Sequence, residues 1–97
     1  MDLYAIRRKS SFADAEDLQA AAARSTAEGD KEGSGVRWIR SYVVAEEDGA
    51  LGTVCIYEAE SPEAIRAHAA ASKMRADEIV PVADTVVVRP DPVATTA

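Results

Sequence analysis

Residues 36–59 alternate with a period of two. Successive side chains of a strand point to opposite faces, so Val36, Trp38, Arg40, Tyr42 and Val44 fall on one side, and Arg37, Ile39, Ser41 and Val43 on the other. After the polar Glu46-Glu47-Asp48-Gly49, Thr53, Cys55 and Tyr57 alternate against Val54, Ile56 and Glu58, which predicts an antiparallel return. Both faces of this hairpin carry apolar groups. A sheet wetted on one side is polar on that side, so each face here needs a cover.

The rest of the chain supplies it. Residues 2–8 alternate as a first strand, and residues 10–13 break the pattern. Asp14 is placed to cap a helix running through about Ala27, with Glu16 and Asp17 near its positive end and a small stripe of Leu18, Ala21, Ala22 and Ser25. Residues 29–35 read as a Gly-rich loop. Ser61-Pro62-Glu63 combines a hydroxyl cap, proline at the first helical position and an acid in the first turn. The helix it opens places Ile65, His68, Ala69 and Ser72 on one face. Residues 73–77 connect, residues 77–80 read as a short helical turn, and the β-branched residues 82–89 as the last strand.

The order β-α-β-β-α-β predicts an α+β, ferredoxin-like domain: a four-stranded antiparallel sheet with both helices on one face. A second copy of the same sheet is the simplest cover for the other face, so a homodimeric α/β-barrel is expected. The domain spans residues 1–89, and residues 90–97, with Pro90, Pro92 and a small polar end, read as a flexible tail.

Composition changes this picture little. Twenty of the apolar residues are alanine, which bury little area each, and that favours extra burial in an oligomer. The net charge of −6 argues against nucleic acid, and Arg7-Arg8-Lys9 reads as a solvated strand end. Glu46-Glu47-Asp48 reads as a solvated hairpin tip. The single cysteine, Cys55, excludes an internal disulfide and fits a reducing cytosol. No signal sequence and no apolar run of membrane-spanning length is present, so a cytoplasmic protein without a membrane partner is expected.

One set of alternate positions carries chemistry. Trp38, Arg40, Tyr42, Cys55 and Tyr57 mix aromatic rings with a guanidinium, phenols and a thiol, which suits a pocket lining better than a dry core. If its helix face looks at that side of the sheet, His68, about 9 Å along its helix, should hang between Tyr57 at about 7 Å and Cys55 at about 13 Å down their strand. It reads first as a hydrogen-bonded pocket histidine, then as a metal ligand, then as a general base. Imidazole and thiolate suit nickel, zinc or copper, so His68 and Cys55 are the candidate metal pair, although Cys55 reads first as an inert buried thiol. Arg40 would hold an anionic group or pair with Glu58 or Asp84. No catalytic triad, phosphate loop or CxxC motif is present.

Val36-Arg37-Trp38, Ser41-Tyr42-Val43, Cys55-Ile56-Tyr57-Glu58-Ala59 and Glu63-Ala64-Ile65 with His68-Ala69 resemble a family of small bacterial single-domain proteins, largely of unassigned function, with a nickel-binding branch. The resemblance covers residues 3–88 and implies a ferredoxin-like dimer with a site for nickel or another divalent metal. The chain departs from it at Ile6, where the family often has an acid, and in a longer hairpin tip, residues 49–52.

Two functions follow as expectations. One is a cytoplasmic homodimer that binds a small molecule or a divalent metal such as nickel. The other is a cofactor-free enzyme, similar to monooxygenases or isomerases of the dimeric α/β-barrel kind, with Trp38, Tyr42 and Tyr57 as walls, Arg40 as anion holder and His68 as proton carrier.

Overall fold

The computed structural model describes residues 1–92. Its elements are β1 (Asp2–Phe12), α1 (Ala15–Gly29), β2 (Val36–Ala45), β3 (Leu51–Ala59), α2 (Pro62–Ala71) and β4 (Glu78–Pro81). The strands form one antiparallel sheet in the order β2-β3-β1-β4. This is the ferredoxin-like arrangement, with β1 and β3 central and both helices on one side.

The helix starts are set locally. Asp14 accepts a hydrogen bond from Asp17 N at 2.9 Å, and Ser61 accepts one from Ala64 N at 3.1 Å, each satisfying an otherwise orphaned donor of a first turn. The core lies between helices and sheet. Tyr4 and Ile6 of β1, Val36 of β2, Cys55, Tyr57 and Ala59 of β3 and Ile65 of α2 form its main cluster. Ile6 and Ile65 are almost wholly buried, and burial of that kind contributes about 1.5–3 kcal/mol for each side chain.

Three features differ from the sequence expectation. First, β1 does not stop near residue 8. Its register shifts between Arg8 and Phe12, where Ser10 takes a left-handed φ of 47°. Glu46 holds that bulge by accepting from Ser10 N at 2.7 Å and from Arg7 Nη2 at 2.8 Å. Glu46 is therefore a bracing residue and not part of a solvated tip.

Second, β2 carries a bulge at Ile39. Trp38 lies opposite Tyr57, but Arg40 lies opposite Ile56 and Ser41 opposite Cys55. One extra residue reverses the side-chain parity beyond it.

Third, the last strand is Glu78–Pro81, where a helical turn was expected, and residues 82–89 form no strand. The ladder is fixed at one end by Asp77, which donates its N–H to Arg7 O at 2.9 Å and accepts from Lys9 N at 2.7 Å. Pro81, lacking an N–H, sits at the other end. After a final bond from Val82 N to Leu3 O, the chain leaves the β1 edge and crosses the open sheet face to β2. The tail expected at residues 90–97 is described only to residue 92. Residues 90 and 91 lie against β2, and the small polar end at residues 94–97 falls outside the described residues.

Candidate functional site

The side chains of α1 that face the sheet are small, and they leave a gap. Leu18, Ala21, Ala22 and Ser25 on one side, and Arg8, Phe12, Trp38, Thr53, Cys55 and Tyr57 on the other, enclose a cleft of about 460 Å3. Met74 also lines it.

Tyr57 is the centre of the polar groups. Its hydroxyl lies 2.8 Å from Ser25 Oγ. Trp38 stacks on its ring at a centroid distance of 6.1 Å and an interplanar angle of 8°, and the His68 ring tilts against it at 5.5 Å. Burial pushes the Tyr57 phenol above its ordinary range, against the opposing effects of the Ser25 bond and the Arg8 charge. A second chain of bonds runs across the strands: Trp38 Nε1 donates to Ser41 Oγ at 2.8 Å, Ser41 donates to Cys55 Sγ at 2.9 Å, and Cys55 donates to Thr53 Oγ1 at 3.3 Å.

Of the residues chosen from sequence, Trp38, Cys55, Tyr57 and His68 lie on the helix side of the sheet. Arg40 and Tyr42 do not share that face, because the Ile39 bulge turns both side chains to the other side, although Arg40 still borders the cleft at the bulge. There Arg40 Nη1 donates to Asp91 at 2.8 Å and the Tyr42 hydroxyl donates to the same carboxylate at 2.8 Å. The expected partners of Arg40, Glu58 and Asp84, are not used; Glu58 pairs with Arg37.

His68 is buried, 5 % exposed, and its Nε2 lies 3.0 Å from the carbonyl of Ser25, so Nε2 carries the proton and donates it. Its Nδ1 is buried without a partner among the described residues. His68 and Cys55 have separate hydrogen-bond partners, Ser25 and Ser72 for the ring, Ser41 and Thr53 for the thiol. Among the described residues no group of three His, Cys, Asp or Glu side chains could hold a metal ion. Nickel takes several nitrogen, oxygen or sulfur donors, and one chain's His68 and Cys55 do not make such a set.

The residue that sequence reasoning missed is Arg8. It is 1 % exposed, lies directly across from Thr53, and holds its Cζ 5.9 Å from the Tyr57 ring centroid. The signal was present: Arg8 has the same parity as Tyr4 and Ile6, the buried side of β1.

The sequence matches the family described as "Nickel responsive protein SCO4226-like" over residues 4–82. The chain belongs to the SCO4226-like family of nickel-responsive proteins. The crystal structure of SCO4226 from Streptomyces coelicolor A3(2) is similar at a TM-score of 0.68 and 20 % identity, covering 87 % of this chain and 99 % of that one. At that identity the likeness shows a shared fold. No curated protein sequence matches the chain significantly. Among the described residues, no helix of this SCO4226-like chain is long and apolar enough to cross a membrane.

Proposed function

We propose that this SCO4226-like protein is a cytoplasmic homodimer that binds a small organic molecule in the cleft between α1 and the sheet. The cleft itself carries the reading. Interiors of small domains are normally packed with few voids larger than water, whereas about 460 Å3 here is within the range of ligand sites and is lined mainly by apolar groups with a few hydroxyls. Binding is favoured over catalysis because, among the described residues, the lining has no carboxylate and no imidazole to move a proton. The raised Tyr57 phenol also keeps its proton.

The dimer is supported by the open sheet face and the arm that crosses it, where Val86, Val87 and Val88 are 83, 70 and 78 % exposed in a single chain. Light scattering should give twice 10.3 kDa. A monomer at micromolar concentration contradicts that part. For the cleft, a thermal-shift screen of small aromatic and aliphatic compounds should find members that raise the Tm, as any ligand of the native state does. A screen without one contradicts the cleft reading.

Nickel binding is the second reading, favoured by the family and by the His68 Nδ1, which has no partner among the described residues. The remaining donors would come from groups other than one chain's His68 and Cys55, water among them. Calorimetry with nickel should then show heat that is lost in His68→Gln. No heat with the unmodified chain excludes this reading.

A further inference from the structure

Two adjacent arginines on β1 have opposite fates. Arg7 donates to Glu46, to Arg8 O and to Thr53 O, so its charge and its donors are matched. Arg8 is more deeply buried, yet its Nε and Nη2 have no partner among the described residues, and no carboxylate pairs with it there. A buried guanidinium left unpaired is expensive, since the loss of hydration is not returned by any hydrogen bond. The nearby Tyr57 offers a cation–π contact near the outer limit of useful distance and a minor hydrogen-bonding influence through its hydroxyl, and neither satisfies Nε or Nη2. Sequence alternation puts Arg8 on this face, and the fold then aims it into the wall of the cleft.

We propose that the cleft binds an organic monoanion, a carboxylate with an apolar body, whose head pairs with Arg8. This deepens the cleft reading above and rests on it. The flat fork of a guanidinium matches a carboxylate through two parallel bonds. Thr53, opposite Arg8 and 3 % exposed, retains its hydroxyl proton as a further donor, because its bond with Cys55 uses it as an acceptor. The body of the ligand lies against Phe12, Leu18, Trp38 and Met74. A monoanion is favoured over a phosphate dianion because Arg8 is the one unpaired cation at the cleft; Arg40, which borders it, is already paired with Asp91. A second negative charge would be buried uncompensated among apolar groups.

Trp38 is the only tryptophan and lines the cleft, so its emission reports occupancy. The full chain is titrated with phenylacetate and 3-phenylpropionate, with their amides as uncharged isosteres, and with phenyl phosphate, reading both Trp38 emission and calorimetric heat. The acids should bind roughly tenfold or more tighter than the amides, the size of effect of one charge-assisted hydrogen bond. Arg8→Met should abolish that preference while keeping the fold, because an apolar side chain replaces an unpaired buried charge. Arg8→Lys keeps the charge without the fork and should bind the acids more weakly than the unmodified chain. Should Arg8→Met fail to fold, the acid-to-amide comparison and Arg8→Lys decide the matter. Equal binding of acid and amide, tighter binding of phenyl phosphate, or a preference that survives in Arg8→Met overturns the anion assignment and leaves the cleft as a ligand site. No response to any of these compounds overturns both.

Discussion

The hydroxyls of Tyr57 and Ser25 lie 2.8 Å apart, joining the central strand β3 to the C-terminal half of α1. Because the carbonyl of the same serine accepts from His68 Nε2, one residue of α1 is tied to both the sheet and α2. Tyr57→Phe leaves Ser25 Oγ buried without its partner and should cost about 1–2 kcal/mol, a fall in Tm of roughly 5–15 °C for a chain this size. The pH dependence separates this bond from simple packing. Burial raises the Tyr57 pKa above its ordinary value of 10.0 in the folded state. Stability from the neutral phenol is therefore complete below that value and is lost as pH rises through the folded one. Thermal melts above pH 10 should show the unmodified protein losing more stability than Tyr57→Phe.

Glu46 and Gly52 form one unit with the β1 bulge. A Cβ at Gly52 would stand 2.7 Å from Arg8 O and 2.8 Å from Arg7 Nη1, and would collide with the Glu46 carboxylate. Gly52→Ala should lower stability by about 1–3 kcal/mol through overpacking, read by chemical denaturation. The bonds from Arg7 and from Ser10 N hold the Glu46 carboxyl below its ordinary value of 4.5. Their contribution is present above that value and fades as pH falls through the lower, folded one. Glu46→Gln should melt earlier than the unmodified chain at pH 7, and the gap should close in acid.

Asp91 holds the C-terminal arm onto the open face through Arg40 and Tyr42. These groups are largely exposed, so the contact is salt-sensitive. Asp91→Asn should speed amide hydrogen exchange in residues 82–91 and leave exchange in β1 and β3 unchanged. Unaltered exchange in the arm would mean that its apolar contacts alone hold it.

Much of this fold was legible because its signals are local. The hairpin alternation, the Asp14 cap and the Ser61-Pro62 start each depend on a few adjacent residues. The shared parity of Cys55 and Tyr57 was legible for the same reason, but which sheet face meets His68 was not, because both faces carry apolar groups. What failed depends on distant partners. The Ile39 bulge lets Ser41 bridge Trp38 and Cys55, and nothing in residues 36–45 alone announces it. Residues 82–89 have the β-branched character of a strand, yet Asp77 and Pro81 fix the ladder four residues earlier. Arg8 was misread because a run of three cations suggests solvent, whereas strand parity sends alternate members to opposite faces.

If the cleft under α1 binds an organic acid through Arg8, a crystal structure grown with 3-phenylpropionate should show density for the acid, with its carboxylate within hydrogen-bond distance of the Arg8 guanidinium and its ring against Trp38 and Phe12. A cleft closed by a swing of Trp38, or filled with water at ligand concentrations that saturate the solution assay, would contradict that proposal.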